Sequence, residues 1–360
     1  MANSGGDSNI IGGTSTTVGQ YPSVVVLTIG GGLCTGTLVD KEWVITAAHC
    51  LTPEVVGVSS QDELTRSIVI HFNTVNVFTD KGREVHAAMT IPKASFNVQA
   101  LGSNDIGLIK LAEPVTDIEP TPVNLDATKA PIGITVTQVG YGATAGGGGG
   151  QVGVEFALAN RSSTSCSGFG VQDANLLCFN QTDNAGKCQG DSGGPSFAMI
   201  DGKQTLVGVT SFGDQFCQQF GADTRTDAER DFLLTHVPQL EGCESVADCG
   251  MNEICFNKEC IAEPFSDGGL GSACTTGTEC DSGVCAAGEG GMLCSDLCTA
   301  GDPNACPEGF ECLVSSNGTQ GACWPEDAGD GGGCCDSSGH GGPTALLGLG
   351  LVALVLRRRR

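Results

Sequence analysis

Three short stretches, far apart in the chain, limit most strongly what this sequence can fold into: Thr46-Ala47-Ala48-His49-Cys50, Asn104-Asp105-Ile106-Gly107-Leu108 and Gly190-Asp191-Ser192-Gly193-Gly194-Pro195. A serine hydroxyl is a poor nucleophile at neutral pH. It needs an imidazole to take its proton, a buried carboxylate to fix the imidazole tautomer, and N–H donors for the oxyanion that forms. The three stretches offer one of each side chain, with a glycine-flanked backbone around the serine. Each alone is ordinary: a turn, a core histidine, a strand start. Together they demand a fold in which residues 49, 105 and 192 meet.

In this order of His, Asp and Ser, the chain resembles the trypsin/chymotrypsin family of serine endopeptidases. The resemblance covers about residues 10 to 240. It runs from Ile10-Ile11-Gly12-Gly13, similar to the family's mature amino terminus, to Ser211-Phe212-Gly213, similar to its substrate-pairing segment. It implies His49 as general base and acid, Asp105 as orienting carboxylate and Ser192 as the nucleophile of an acyl-enzyme, with the N–H groups of Gly190 and Ser192 as oxyanion hole. It implies an all-β fold of two six-stranded antiparallel β-barrels with a C-terminal helix, and a cleft between the barrels. Three bridges come with it: Cys34 with Cys50, Cys166 with Cys178, and Cys188 with Cys217, each contributing about 3 kcal/mol in the chain-entropy picture.

The resemblance also implies activation by cleavage, the freed amino group of Ile10 pairing with Asp191. The glycine run 146–150 stands where the family has a loop that is mobile before activation; a plain flexible connector is the other reading. Asn9 precedes Ile10, so a Lys/Arg-specific enzyme would not make that cut, and a separate activating protease is the expected partner. Gly186, two residues before Cys188, stands where Arg/Lys-specific members carry an aspartate, which disfavours a basic P1. Gly213 and Gly221 fall at pocket walls where glycine leaves room. Lys187 either faces the pocket and pairs with an acidic P1, or turns to solvent or to Asp223. Polypeptides are the expected substrates, with no cofactor and no metal; the acidic loop Asp80 to Glu84 has no persuasive calcium-ligand spacing.

Composition agrees with this architecture. With 55 glycines and 16% charged residues in 360, turns and strands are favoured over long exposed helices. Strands are expected at 23–29, 35–39, 43–47, 67–77, 85–91, 106–111, 135–140, 152–159, 195–200 and 205–211, with turn residues between them. One helix is expected at 227–236, with Thr226 and Glu229 at capping-box spacing and Val237-Pro238 at its end. The net charge of −24 argues against nucleic acid as a partner. Twenty cysteines indicate an oxidising compartment, hence export, to the cell surface, the outer membrane or the medium. Residues 1–9 lack a basic start and an apolar core, so they read as a residual leader or propeptide, the signal peptide having been lost with the choice of start.

Beyond residue 240 the composition changes. Residues 241–326 carry cysteines at 243, 249, 255 and 260, then at 274, 280, 285, 294, 298, 306, 312 and 323, with too few apolar residues for a core. Small disulfide modules forming a stalk are expected. Four and eight cysteines allow 3 and 105 pairings. Zinc is the rival reading, but no histidine lies between Gly242 and Gly339. Residues 327–342 are a Gly/Asp linker with Cys334-Cys335, and 343–360 an apolar run followed by four arginines. The 12-residue apolar run Ala345 to Leu356 is short of the ~20 residues of a spanning helix. This layout resembles the C-terminal sorting tags of myxobacterial surface proteins. It implies a sorting or processing enzyme acting at Cys334 or Cys335, and membrane contact through the tail; a disulfide at Cys334-Cys335 with a frayed end is the alternative. Two other functions remain open on the sequence: a catalytically silent binding protein on a protease fold, and an adhesive role for the cysteine-rich part.

Overall fold

The computed structural model of the chain describes residues 10–99, 104–148, 150–171, 174–242, 253–256, 259–288, 291–302, 305–314 and 320–326. The leader 1–9, Cys334, Cys335 and the 343–360 tail lie outside them. The chain divides into two units, Met1–Glu241 and Gly242–Arg360.

The first unit is built from two sheets. β1 (Thr14–Ser15) precedes β2 (Val24–Ile29), β3 (Gly32–Asp40), β4 (Trp43–Thr46), β5 (Val69–Phe72), β6 (Arg83–Pro92) and β7 (Gly107–Leu111). Strands β2 to β7 close into a six-stranded barrel in the order β2-β3-β4-β7-β6-β5. Their β-branched residues suit a pleated, buried surface, and Val25, Leu27, Leu38, Val44, Ile70 and Ile109 fill the interior.

The second sheet uses β8 (Thr135–Gly140), β9 (Phe156–Ser162), β10 (Leu176–Asn180), β11 (Pro195–Ile200), β12 (Lys203–Gly213) and β13 (Phe220–Arg225). Its order is β1-β9-β8-β11-β12-β13-β10, seven strands rather than six. It curls without a full ladder at the seam. There, a single bridge joins Thr164 to Cys178, Thr164 N–H donating to the Cys178 carbonyl at 2.7 Å, beside the Cys166–Cys178 disulfide. A second core runs between the sheets, with Val24, Val26, Ile45 and Leu108 from the barrel against Val139, Phe197, Leu206 and Val209. This shared core sets the two halves side by side.

The C-terminal helix, α3, is shorter than expected. Two short helices come first, α1 (Pro53–Val56) and α2 (Gln61–Ser67), and α3 spans Arg230–His236 after a 3-10 turn at Asp227–Glu229. The capping box does not form, because both of its side chains have other partners. Thr226 Oγ1 donates to the Asn124 and Leu206 carbonyls, and the Glu229 carboxylate pairs with Lys93. Leu233 and Val237 seat α3 on the shared core.

One buried acid joins four segments of this unit. Glu155 accepts from Thr16 Oγ1 at 2.5 Å and shares the Tyr141 hydroxyl proton, at 3.1 Å, with the Thr74 carbonyl at 2.6 Å. Burial pushes its carboxyl from 4.5 up to about 7, against the downward pull of those two hydrogen bonds. A raised acid binds its proton more tightly when folded. Its stabilisation is therefore complete below about pH 4.5 and is lost as pH rises through about 7, roughly 3 kcal/mol in all. Thermal unfolding of a Ser192→Ala chain at pH 5 and pH 8 should show this loss, and adding Glu155→Gln should remove most of it. An unchanged pH difference would refute the assignment.

In the second unit the eight cysteines from 274 resolve into two crossed pairs of bridges: Cys274–Cys285 with Cys280–Cys294, and Cys298–Cys312 with Cys306–Cys323. Each pair encloses its own small sheet or hairpin, 284–288 with 291–295 in the first and 297–299, 310–314 and 320–325 in the second. Cys255 is also disulfide-bonded. The cysteine-rich region is thus a set of disulfide modules. These bridges, with those of the first unit, point to an oxidising compartment outside the cytoplasm. Among the described residues, no helix is long and apolar enough to cross a membrane.

Candidate active site

Strand register brings His49 and Asp105 together. β4 pairs with β7 so that Thr46 faces Gly107. The chain just beyond β4, in the 3-10 turn Ala48–Leu51, therefore meets the chain just before β7. Asp105, 1% exposed, takes two bonds from the histidine. Its Oδ1 accepts from the His49 backbone N–H at 2.9 Å, and its Oδ2 lies 2.8 Å from Nδ1. Oδ2 also accepts from Ser211 Oγ at 2.5 Å. A carboxylate can only accept, so this geometry places the Nδ1 proton toward Asp105 and leaves the Nε2 lone pair as a base.

Ser192 comes from the other sheet, in the loop before β11. Its carbonyl accepts from Thr35 N–H at 2.8 Å and lies 3.8 Å from the sulfur of Cys50, the residue after His49. The Cys34–Cys50 disulfide ties both of these flanks together. Gly193, next in the chain, donates its N–H to the Thr210 carbonyl at 2.8 Å. The three sequence stretches thus converge at one place between barrel and sheet.

Two hydrogen bonds fix the backbone on either side of the Gly190 N–H. The Gln189 carbonyl accepts from Ala143 N–H at 2.7 Å. Since the connecting peptide is trans, the Gly190 N–H points the opposite way, out of that contact. Gly190 has φ +98°, in the left-handed region that favours glycine, and its carbonyl accepts from Thr35 Oγ1 at 3.0 Å.

Ile10 is fully buried, and Ile11 bridges to Gly186, whose N–H donates to the Ile11 carbonyl at 2.8 Å. Asp191 is enclosed as well. Its Oδ1 accepts from Gly142 N–H and its Oδ2 from Cys188 N–H, both at 2.8 Å. Burial pushes its carboxyl up to about 6, the two backbone bonds holding it lower than burial alone would. An added cation beside it would favour the ionised form.

The pocket region resolves the alternatives left for Lys187. Its ammonium turns inward but pairs with Asp223 Oδ2 at 2.7 Å and donates to Ser196 Oγ at 3.1 Å; Ser196 Oγ donates in turn to the same Oδ2 at 2.6 Å. Burial holds the Lys187 ammonium below its usual range, with Asp223 opposing that shift. At Gly221, expected at a pocket wall, a methyl group would stand 2.5 Å from Gln181 Oε1, so that amide lies against the glycine. Gly213 lies opposite Gly221 across the β12–β13 ladder, and Phe212 packs edge-on against Phe220 at 6.0 Å. Cys188–Cys217 and Cys166–Cys178 close the surrounding loops.

Two contributors escaped the sequence reading. Ser211 belongs to the segment expected to pair with substrate backbone, and its hydroxyl also holds Asp105. Gln181, a single buried amide in a turn, carries no sequence signal; only the convergence of Gly186 and Gly221 on its side chain marks it.

Residues 10–230 match the trypsin family, under the description "Trypsin". The chain is 30% identical over 222 residues to Serine protease SP24D of Anopheles gambiae, covering 60% of this chain and 76% of that protein. It is 30% identical over 230 residues to Chymotrypsin-like elastase family member 1 of Canis lupus familiaris, covering 57% and 82%. It is 29% identical over 272 residues to Serine protease 56 of Mus musculus, covering 72% of this chain but only 43% of that longer protein. The chain belongs to the trypsin family of serine proteases.

Proposed function

We propose that the protein is a serine endopeptidase that hydrolyses peptide bonds through an acyl-enzyme. His49 takes the Ser192 proton and later returns it to the leaving amine. Asp105, steadied by Ser211, holds the imidazole tautomer, and the Gly190 and Ser192 N–H groups stabilise the oxyanion. The observation that carries this reading is the pair of hydrogen bonds from His49 onto Asp105, with the Ser192 carbonyl held by Thr35 N–H beside Cys50. Cleavage before Ile10 by another protease would supply an ammonium to pair with Asp191. The Asp191 carboxylate bonds to Gly142 and Cys188 would then lock the oxyanion loop. The absence of a base-pocket aspartate at Gly186, and the engagement of Lys187 by Asp223, support a P1 preference unlike trypsin's. Export and retention at the surface through the tail are part of the proposal and rest on the layout of residues 327–360.

The test is labelling of whole cells and medium with a membrane-impermeant fluorophosphonate, alongside amino-terminal sequencing. Wild type beginning at Ile10 should label at the cell surface, and Ser192→Ala should not. Matured wild type without label would overturn the catalytic reading; label in the medium alone would overturn only the anchoring.

A further inference from the structure

We infer that Gln181 forms the floor of the specificity pocket and makes it short and uncharged, so that cleavage follows small apolar residues such as alanine and valine. The inference rests on the serine endopeptidase reading above. Two glycines locate the amide. A methyl group on Gly186, at the pocket base, would stand 2.2 Å from Gln181 Cδ; one on Gly221, at the wall, would stand 2.5 Å from Gln181 Oε1. Base and wall therefore face the same side chain, and the space between them holds that amide instead of substrate. Gln181 is 1% exposed.

The amide is fixed and offers a substrate little. Its Nε2 donates to the Lys187 carbonyl at 3.1 Å and the Cys217 carbonyl at 3.2 Å, and its Oε1 accepts from Lys187 N–H at 3.0 Å. Both donors are engaged, and the amide cannot swing aside without stranding buried backbone groups. Charge is cancelled next to it, because the Lys187 ammonium is paired with Asp223 and bonded to Ser196. An acidic P1 finds that ammonium already paired. A basic P1 finds an aspartate already neutralised by Lys187. An aromatic ring needs the depth that Gln181 fills. A short apolar side chain meets neither obstacle.

The test is a peptide series varied only at P1 (Ala, Val, Phe, Lys, Glu), assayed on enzyme titrated with the fluorophosphonate. Wild type should favour Ala or Val over Phe by about tenfold or more in kcat/KM, with Lys and Glu weaker still. Gln181→Ala should raise Phe relative to Ala by about tenfold. Gln181→Ser, which also shortens the side chain, should raise Phe relative to Ala in the same direction. Labelled wild type that prefers Phe, Lys or Glu overturns the inference, as does a labelled Gln181 variant with an unmoved profile. If neither variant takes label, the wild-type profile decides. An unlabelled wild type sinks the catalytic reading and this inference with it, whereas a labelled enzyme with the wrong profile sinks the inference alone.

Discussion

Replacing Asp105 with asparagine should lower kcat about 10⁴-fold with little change in stability. Three donors surround the carboxylate: the His49 backbone N–H and Nδ1, and Ser211 Oγ. An amide has one oxygen and one NH₂ for those places. The backbone N–H of His49 cannot become an acceptor, so the amide oxygen must face it. The NH₂ then faces Nδ1, which can satisfy it only by accepting. That moves the ring proton to Nε2, the nitrogen that should remove the Ser192 proton, and the base is lost. The Ser211 hydroxyl can rotate to accept, and Thr224 Oγ1 still donates to the residue 105 carbonyl at 3.0 Å, so the loop stays in place. Steady-state kinetics with thermal unfolding check this. A loss smaller than about tenfold, in a variant that melts like wild type, would show that the tautomer does not limit the reaction.

The catalytic stretches were legible because chemistry restricts their residue types, and most strands because β-branched runs such as Val24–Ile29 leave little choice. Three strands of the first unit were not, the first of them the two-residue β1. Leu176–Asn180 sits in a loop-like context, and Phe220–Arg225 buries Asp223, Thr224 and Arg225 in succession. Such a strand has no apolar alternation to read; its polar side chains are tolerated only because Lys187, the Asp105 carbonyl and Asp227 receive them. The helix α2 did carry a signal, Ser60 and Glu63 three apart, with Glu63 N–H donating to Ser60 Oγ. The same spacing at Thr226 and Glu229 was a false positive, since tertiary partners took both side chains. The pocket shows the limit most clearly. Glycine at 221 has the same letter whether it opens space for a substrate or yields it to Gln181, and only the position of a distant side chain separates the two. The crossed pairing of the eight cysteines from 274 was equally closed to inspection, because every pairing satisfies the sequence.

A methyl group at Gly193 should cost more than activity. Gly193 has φ +81°, and a Cβ there would lie 2.0 Å from Thr46 Oγ1, 2.4 Å from the Thr35 carbonyl and 2.8 Å from the Ala47 N. All three belong to the barrel, and two of them to backbone that cannot rotate away. Here the backbone after Ser192 runs directly against β3 and the end of β4. Gly193→Ala would push the loop off the barrel and strain the Gly193 N–H bond to Thr210 and the Thr35 N–H bond to the Ser192 carbonyl. Left-handed strain of about 1–2 kcal/mol and overpacking of about 1–3 kcal/mol add to roughly 3 kcal/mol of destabilisation. For a unit of this size that lowers Tm by about 10 °C. Because a displacement near 1 Å already costs about 10²-fold, and here both the hydroxyl and the oxyanion donors move, kcat/KM should fall by about 10³-fold or more. The discriminating measurement is fluorophosphonate labelling well below the lowered Tm: the folded variant should label far more slowly than wild type. Wild-type labelling at that temperature would mean that the two halves are free to separate by a methyl group without disturbing the site.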